Sequence, residues 1–186
     1  MTRPTISEAD LLEKLTTLFR QYGYEGVSVS RLAQATGLEK ASLYYRFPGG
    51  KEEMAQAVLT GVVQWFTERI FATLKGQGNP RKRVQLVAEE FREFYLGGTM
   101  PCVNDVLSIE GAGPAVMATL KGAMQAWIKA FTEIAKESGL PPALARRRAE
   151  EAIVGIEGSL ILSRVLGDTA AFDRIIKQLP DLLTAE

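Results

Sequence analysis

Two short apolar-patterned segments stand on either side of a glycine turn near the start of the chain. The stretches from about Val29 to Ala35 and from about Glu39 to Tyr45 read as helices of about two turns each, joined by Thr36-Gly37-Leu38. Helices this short are marginal in water, so packing must hold them. Ala33 is small enough for a close crossing, Gly37 permits the turn, and Leu32, Leu38 and Leu43 point inward to fix the angle. What remains on the outer face of the second segment is Lys40, Ser42, Tyr44 and Arg46. This is the helix-turn-helix pattern, and a helix of that width fits the DNA major groove with its first residues at the base edges.

The surrounding chain carries the same helical rhythm. Ser7 precedes an acidic first turn, and Leu11, Leu15, Leu18, Phe19 and Tyr22 follow at helical spacing until Gly23, where the helix is expected to end. Ser28 is placed to cap the second helix. After Phe47-Pro48-Gly49-Gly50 a long helix is predicted from Lys51 to about Lys75, with Gly76–Pro80 as a linker in which Asn79 caps the next helix. Further helices are expected near 81–96, 103–110, 114–137, 142–166 and 170–184, separated by glycine and proline pairs. Strand-like alternation is absent. The expected fold is all-α: an N-terminal three-helix helix-turn-helix domain over residues 1–51, then a larger helical ligand-binding and dimerisation domain over 52–186.

Charge supports a local rather than a global DNA face. The chain balances 22 basic against 22 acidic residues, yet residues 28–51 hold Arg31, Lys40, Arg46 and Lys51 against Glu39 alone. Counterion release happens only where phosphates are touched, so a local cationic face is sufficient. There is no histidine and a single cysteine, Cys102. Those absences remove the commonest metal ligand and general base, and rule out an intramolecular disulfide. No cofactor is expected, and no catalytic constellation can be assembled. The N-terminus does not read as a signal peptide, no apolar run is long enough for a membrane, and a cytoplasmic protein is expected. The competing readings are an all-helical enzyme and a small-molecule-binding adaptor without DNA binding. Arg81-Lys82-Arg83 and Arg146-Arg147-Arg148 read as solvated charge runs.

The run Leu32-Ala33, Gly37-Leu38 and Ala41-Ser-Leu43-Tyr44-Tyr45-Arg46-Phe47 resembles the DNA-binding domain of the TetR family of repressors over roughly residues 7–60. Ser42 through Glu53, with its Phe-Pro-Gly-Gly-Lys-Glu-Glu, is most similar to the LmrA/YxaF-like branch. Where that branch often has Gly-Cys-Pro, Met100-Pro101-Cys102 stands here, and Tyr45 replaces a usual histidine. The resemblance implies a homodimer on double-stranded palindromic operator DNA, released by a small apolar effector. It implies that Lys40, Ser42, Tyr44 and Arg46 face the operator, with Ala41 against a base edge. Ser28, Ser30 and neighbouring Arg31 would reach the backbone at the second helix's start. Lys51 would hold a phosphate at a helix N-terminus. Tyr45 is counted with these DNA-facing residues, through core or groove-wall packing rather than base reading.

In the second domain, Trp65, Phe66, Phe91, Tyr95, Cys102, Met117, Met124 and Trp127 form a soft aromatic and methionine-rich set. Most such residues simply fill a core, but such a wall also suits flat apolar ligands. No basic residue is aimed into it, which favours a neutral or cationic lipophilic effector over an organic anion. Small residues at spacings of three and four, among them Ala145, Ala149, Ala152, Gly155, Ser159 and Ser163, suggest a dimer face. Ala152, Gly155, Ile156, Ser159, Phe172 and Ile176 are its expected members.

Overall fold

Polar caps set where several helices begin. In the computed structural model, which describes residues 6–109 and 111–185, Ser7 Oγ accepts from the amide of Asp10, Ser28 Oγ from that of Arg31, and Asn79 Oδ1 from that of Lys82. They open α1 (Glu8–Gly26), α2 (Val29–Thr36) and α6 (Pro80–Phe94). The other helices are α3 (Lys40–Arg46), α4 (Gly50–Trp65), α5 (Ala72–Lys75), α7 (Val103–Ser108), α8 (Pro114–Glu137), α9 (Pro142–Leu166) and α10 (Ala170–Leu183). No strand occurs among the described residues, and the fold is all-α as the periodicity implied. Residues 1–5, read as lacking a signal peptide, lie outside the described residues, as do Glu110 and Glu186.

Two elements differ from expectation. At Gly23 the main run of α1 breaks as expected, with φ 66° and ψ −177° outside the helical range, but helical turns resume beyond it and carry the element to Gly26. The bare Cα of Gly23 also lies close to α7, where a Cβ would sit 3.6 Å from the carbonyl oxygen of Val106. The second difference lies between α4 and α5, where Phe66–Phe71 form a π-helix, flanked by Trp65 and Ala72 in ordinary helical conformation. The cause is in the spacing. Val58, Val62, Phe66, Ile70 and Leu74 are all buried and stand four residues apart. In an α-helix each step of four overshoots a full turn by about 40°. A wider turn absorbs the drift, which keeps Phe66, Ile70 and Leu74 buried.

The chain forms two compact units. The first contains residues up to Val62 together with Val103–Lys121. Its core includes Leu11, Leu15, Phe19, Leu32, Leu43 and Met54, all essentially without solvent exposure, and α7 packs on α1. A single cut at 51/52 does not describe this unit, because Met54, Ala55 and Val58 of α4 are buried within the same stretch and α7 joins it from much later in the chain.

The second unit contains Val63–Cys102 and Gly122–Glu186, with α10 lying on α9 and α6. Arg83 is buried there rather than solvated. Its guanidinium donates to the carbonyls of Leu74 (2.6 Å) and Gly76 (2.7 Å) and pairs with Glu137. It thereby satisfies carbonyls at the end of α5 that have no helical partner. Arg81 pairs with Asp181. The run at Arg146 behaves as a solvated face, with Arg146 to Glu150 at 3.0 Å and Arg147 to Glu151 at 3.6 Å.

Candidate nucleic-acid interface

The turn between α2 and α3 is pinned from three sides. Gly37 closes α2 at φ 73°, a left-handed conformation that suits glycine. The buried Thr36 hydroxyl donates to the Leu32 carbonyl (2.8 Å) and accepts from the Leu38 amide (3.4 Å). From α1, Lys14 Nζ donates to the Ala35 carbonyl (3.0 Å) at the end of α2. Leu32, Ala33 and Leu43 are buried at the crossing and Leu38 is half-buried, as the pattern required.

With Leu43 fixed inward, helical geometry decides the outer face. Tyr45 lies about 200° and Ala41 about 160° round the axis from Leu43, at about 100° per residue. Tyr45 is accordingly 88% exposed, which corrects the expectation of core packing and leaves its ring facing outward, where packing on a groove wall would need it. Lys40, Ala41, Tyr44 and Arg46 are exposed beside it, while Ser42 is half-buried. Gln34, exposed on α2 about 200° round from Leu32, is a further polar group that the sequence reading passed over.

The flanking cations are braced. Ser28 and Ser30 are exposed, the first with its hydroxyl engaged in the cap. Arg31 lies 4.1 Å over the Tyr22 ring and donates to the Gly26 carbonyl at 3.2 Å. Lys51 is half-buried, donates to the Tyr24 carbonyl at 3.0 Å and sits 4.2 Å over the Tyr24 ring. Burial, then the charges of Glu52 and Glu25, raise the Tyr24 pKa above its ordinary value, so the ring under Lys51 is a neutral phenol. At the head of α4, Glu53 Oε2 accepts from the Gly49 amide at 2.7 Å. The Tyr44 ring lies against Gly50, where a Cβ would stand 3.4 Å from Cε1. One end of α3 is thus anchored to the start of α4.

Residues 11–58 match the family model for bacterial regulatory proteins of the tetR family, and residues 80–178 match the C-terminal domain of LmrA/YxaF-like transcriptional regulators. The chain belongs to the TetR family of transcriptional regulators, in its LmrA/YxaF-like branch. It is 25% identical to the HTH-type transcriptional regulator LmrA of Bacillus subtilis, covering 95% of this chain and 96% of that protein. The HTH-type transcriptional repressor KstR2 of Mycobacterium tuberculosis is 32% identical over 41% of this chain and 38% of its own length. A TetR regulator structure from Legionella pneumophila has the same fold, with a TM-score of 0.86 at 16% identity, covering 98% of this chain and all of that one. These relatives are transcriptional regulators rather than enzymes. No helix among the described residues is long and apolar enough to cross a membrane.

In the second unit of this TetR-family chain the aromatic residues do come together. Trp127 meets Phe66 at 5.2 Å and Phe91 at 5.5 Å between ring centroids, and Trp65 stacks on Phe94 at 4.2 Å. The Tyr95 hydroxyl contacts Cys102 Sγ at 3.5 Å. Phe66, Phe91, Tyr95, Cys102 and Trp127 are buried and Met124 is half-buried. Met117 falls in the other unit and is exposed. Trp127 Nε1 is buried without a hydrogen-bond partner, an orphan donor among rings.

The expected dimer residues are placed differently. Ala152, Ile156, Ser159, Phe172 and Ile176 are buried inside one protomer. Gly155 is where α10 approaches α9, since a Cβ there would lie 2.6 Å from Ile175 Cδ1. Small residues serve any close helix crossing, and this crossing is internal. The exposed side of α9 carries Val154, Ile161, Leu162, Val165 and Leu166.

Proposed function

We propose that this TetR-family chain is a ligand-responsive repressor that binds a palindromic operator as a homodimer, with α3 in the major groove. The supporting observation is the division of α3. Leu43 is locked in the core while Lys40, Ala41, Tyr44, Tyr45 and Arg46 project from one short, anchored helix. Such a helix presents donors and an apolar edge to bases without a cost of ordering. The name of KstR2 as a repressor favours repression over activation.

A single helix of this kind covers few base pairs, so a two-fold arrangement is needed for specificity. The second copy is assigned to the exposed side of α9, where Val154 is 70% and Val165 72% exposed. Apolar side chains clustered at helical spacing on a surface mark an interaction face. The small lipophilic effector is assigned to the aromatic cluster, where the unpaired Trp127 Nε1 offers a donor to an oxygen-bearing, otherwise apolar molecule. The working location is the cytoplasm, and no cofactor is called for.

A gel-shift titration against the DNA upstream of its own gene, repeated over a range of salt, tests this reading. A specific shift with a steep salt dependence is expected. Equal affinity for that DNA and for random duplex would overturn it.

A further inference from the structure

The second unit has an opening of its own, apart from the packed rings. A groove of about 390 Å³ runs between the end of the long helix and α8. Phe71, Leu74, Ala130 and Ile134 supply its apolar wall, and Lys75, Lys129, Glu133 and Glu137 are its charged residues. The volume falls within the range of small-molecule sites.

The charges do not cancel. Glu137 is paired with the buried Arg83, and Glu133 with Lys136 at 3.2 Å. Lys75 and Lys129 make no ion pair or hydrogen bond among the described residues. Both acids are thus neutralised by cations from elsewhere, while both lysines keep their charge for whatever enters. The end wall is stiff, because the same Arg83 ties Glu137 to the carbonyls of Leu74 and Gly76. Phe71 closes the π-helix, and its ring lies 6.1 Å from Phe66 of the aromatic cluster.

We infer that this groove binds an amphipathic organic anion, a carboxylate on an apolar chain. The chain lies on Phe71, Leu74, Ala130 and Ile134, and the carboxylate is held by Lys75 and Lys129. An organic cation would meet two uncompensated positive charges. A neutral molecule of the same shape would gain the apolar contact alone. The inference goes beyond the effector reading above, which places a neutral or cationic molecule among the rings.

Calorimetric titration of the full-length protein with octanoate, octanol and octylammonium, all below their micelle concentrations, tests it. Octanoate should bind one site per chain, at least about tenfold more tightly than the other two. The double variant Lys75→Gln with Lys129→Gln should weaken octanoate by about three- to tenfold, as expected for two partly exposed ion pairs, and leave octanol unchanged. No octanoate binding, equal binding of octanoate and octanol, or indifference to the lysine pair would overturn the inference. The operator gel shift is run on the same preparations. Octanoate failure in a protein that shifts its operator sinks the groove alone, and octanoate binding in a protein that shifts no DNA sinks the repressor reading alone.

Discussion

Lys51 shows how one side chain can serve both a site and the fold that carries it. It bonds the Tyr24 carbonyl and covers the Tyr24 ring while standing where a phosphate is expected. Lys51→Ala should therefore lower the salt slope of operator binding by about one. It should also cost about 1–2 kcal/mol of stability through the lost charged hydrogen bond and cation–π contact. Lys40→Ala should leave the melting temperature in place, cost about 1–3 kcal/mol on the specific site and relax base preference. Tyr45→Ala belongs with Lys40, since its ring is exposed and supports nothing in the protomer. Thermal melts beside gel shifts on cognate and altered duplexes separate the three. A large loss of melting temperature in Tyr45→Ala would contradict the outward placement of its ring. Sequence alone already held the clue to Tyr45, two residues past an inward Leu43. What it could not supply was the bracing of Lys51, which depends on a carbonyl 27 residues away.

Helix limits were largely legible, because the signals that start and stop helices are local: Ser7, Ser28 and Asn79 each cap as read. The π-helix was passed over although its cause, buried apolar residues four apart from Val58 to Leu74, stands in the sequence. The α9–α10 crossing was not legible, because the stripe on α9 does not name the helix that packs on it. A small-residue stripe on α9 says that some helix comes close, and the structure identifies it as α10 of the same chain. This gives opposite expectations for two faces of one helix. Gly155→Leu drives bulk into the Ile175 side chain and should destabilise the protomer by about 1–3 kcal/mol. Val154→Arg with Val165→Arg alters only the exposed face, so the melting temperature of the protomer should hold while the dimer dissociates. Sedimentation velocity at micromolar concentration, paired with thermal unfolding, reads both. A Val154→Arg/Val165→Arg protein with unchanged dimer mass would remove α9's outer side as the interface.

At the scale of the molecule, the chain passes between its two compact units after Val62, Cys102 and Lys121. The first and last of these crossings fall inside α4 and α8, so two helices have residues in both units. The cut expected at 51/52 followed the motif, which ends there, rather than the core, which does not. A fragment of residues 1–51 lacks Met54, Ala55, Val58 and α7. It should show little helical circular dichroism and no cooperative melt, and a sharp transition in that fragment would restore the simpler boundary. Shared helices also give the proposed effector a covalent route to the operator-binding unit. A coupling of about 1–3 kcal/mol would suffice for induction, and linkage makes it reciprocal. A compound that weakens operator binding tenfold must itself be bound tenfold more weakly by the operator complex. Fluorescence of Trp65 and Trp127 can follow such a compound's titration with and without saturating operator. Two coincident binding curves would mean that the aromatic cluster is core and the protein represses without induction through it.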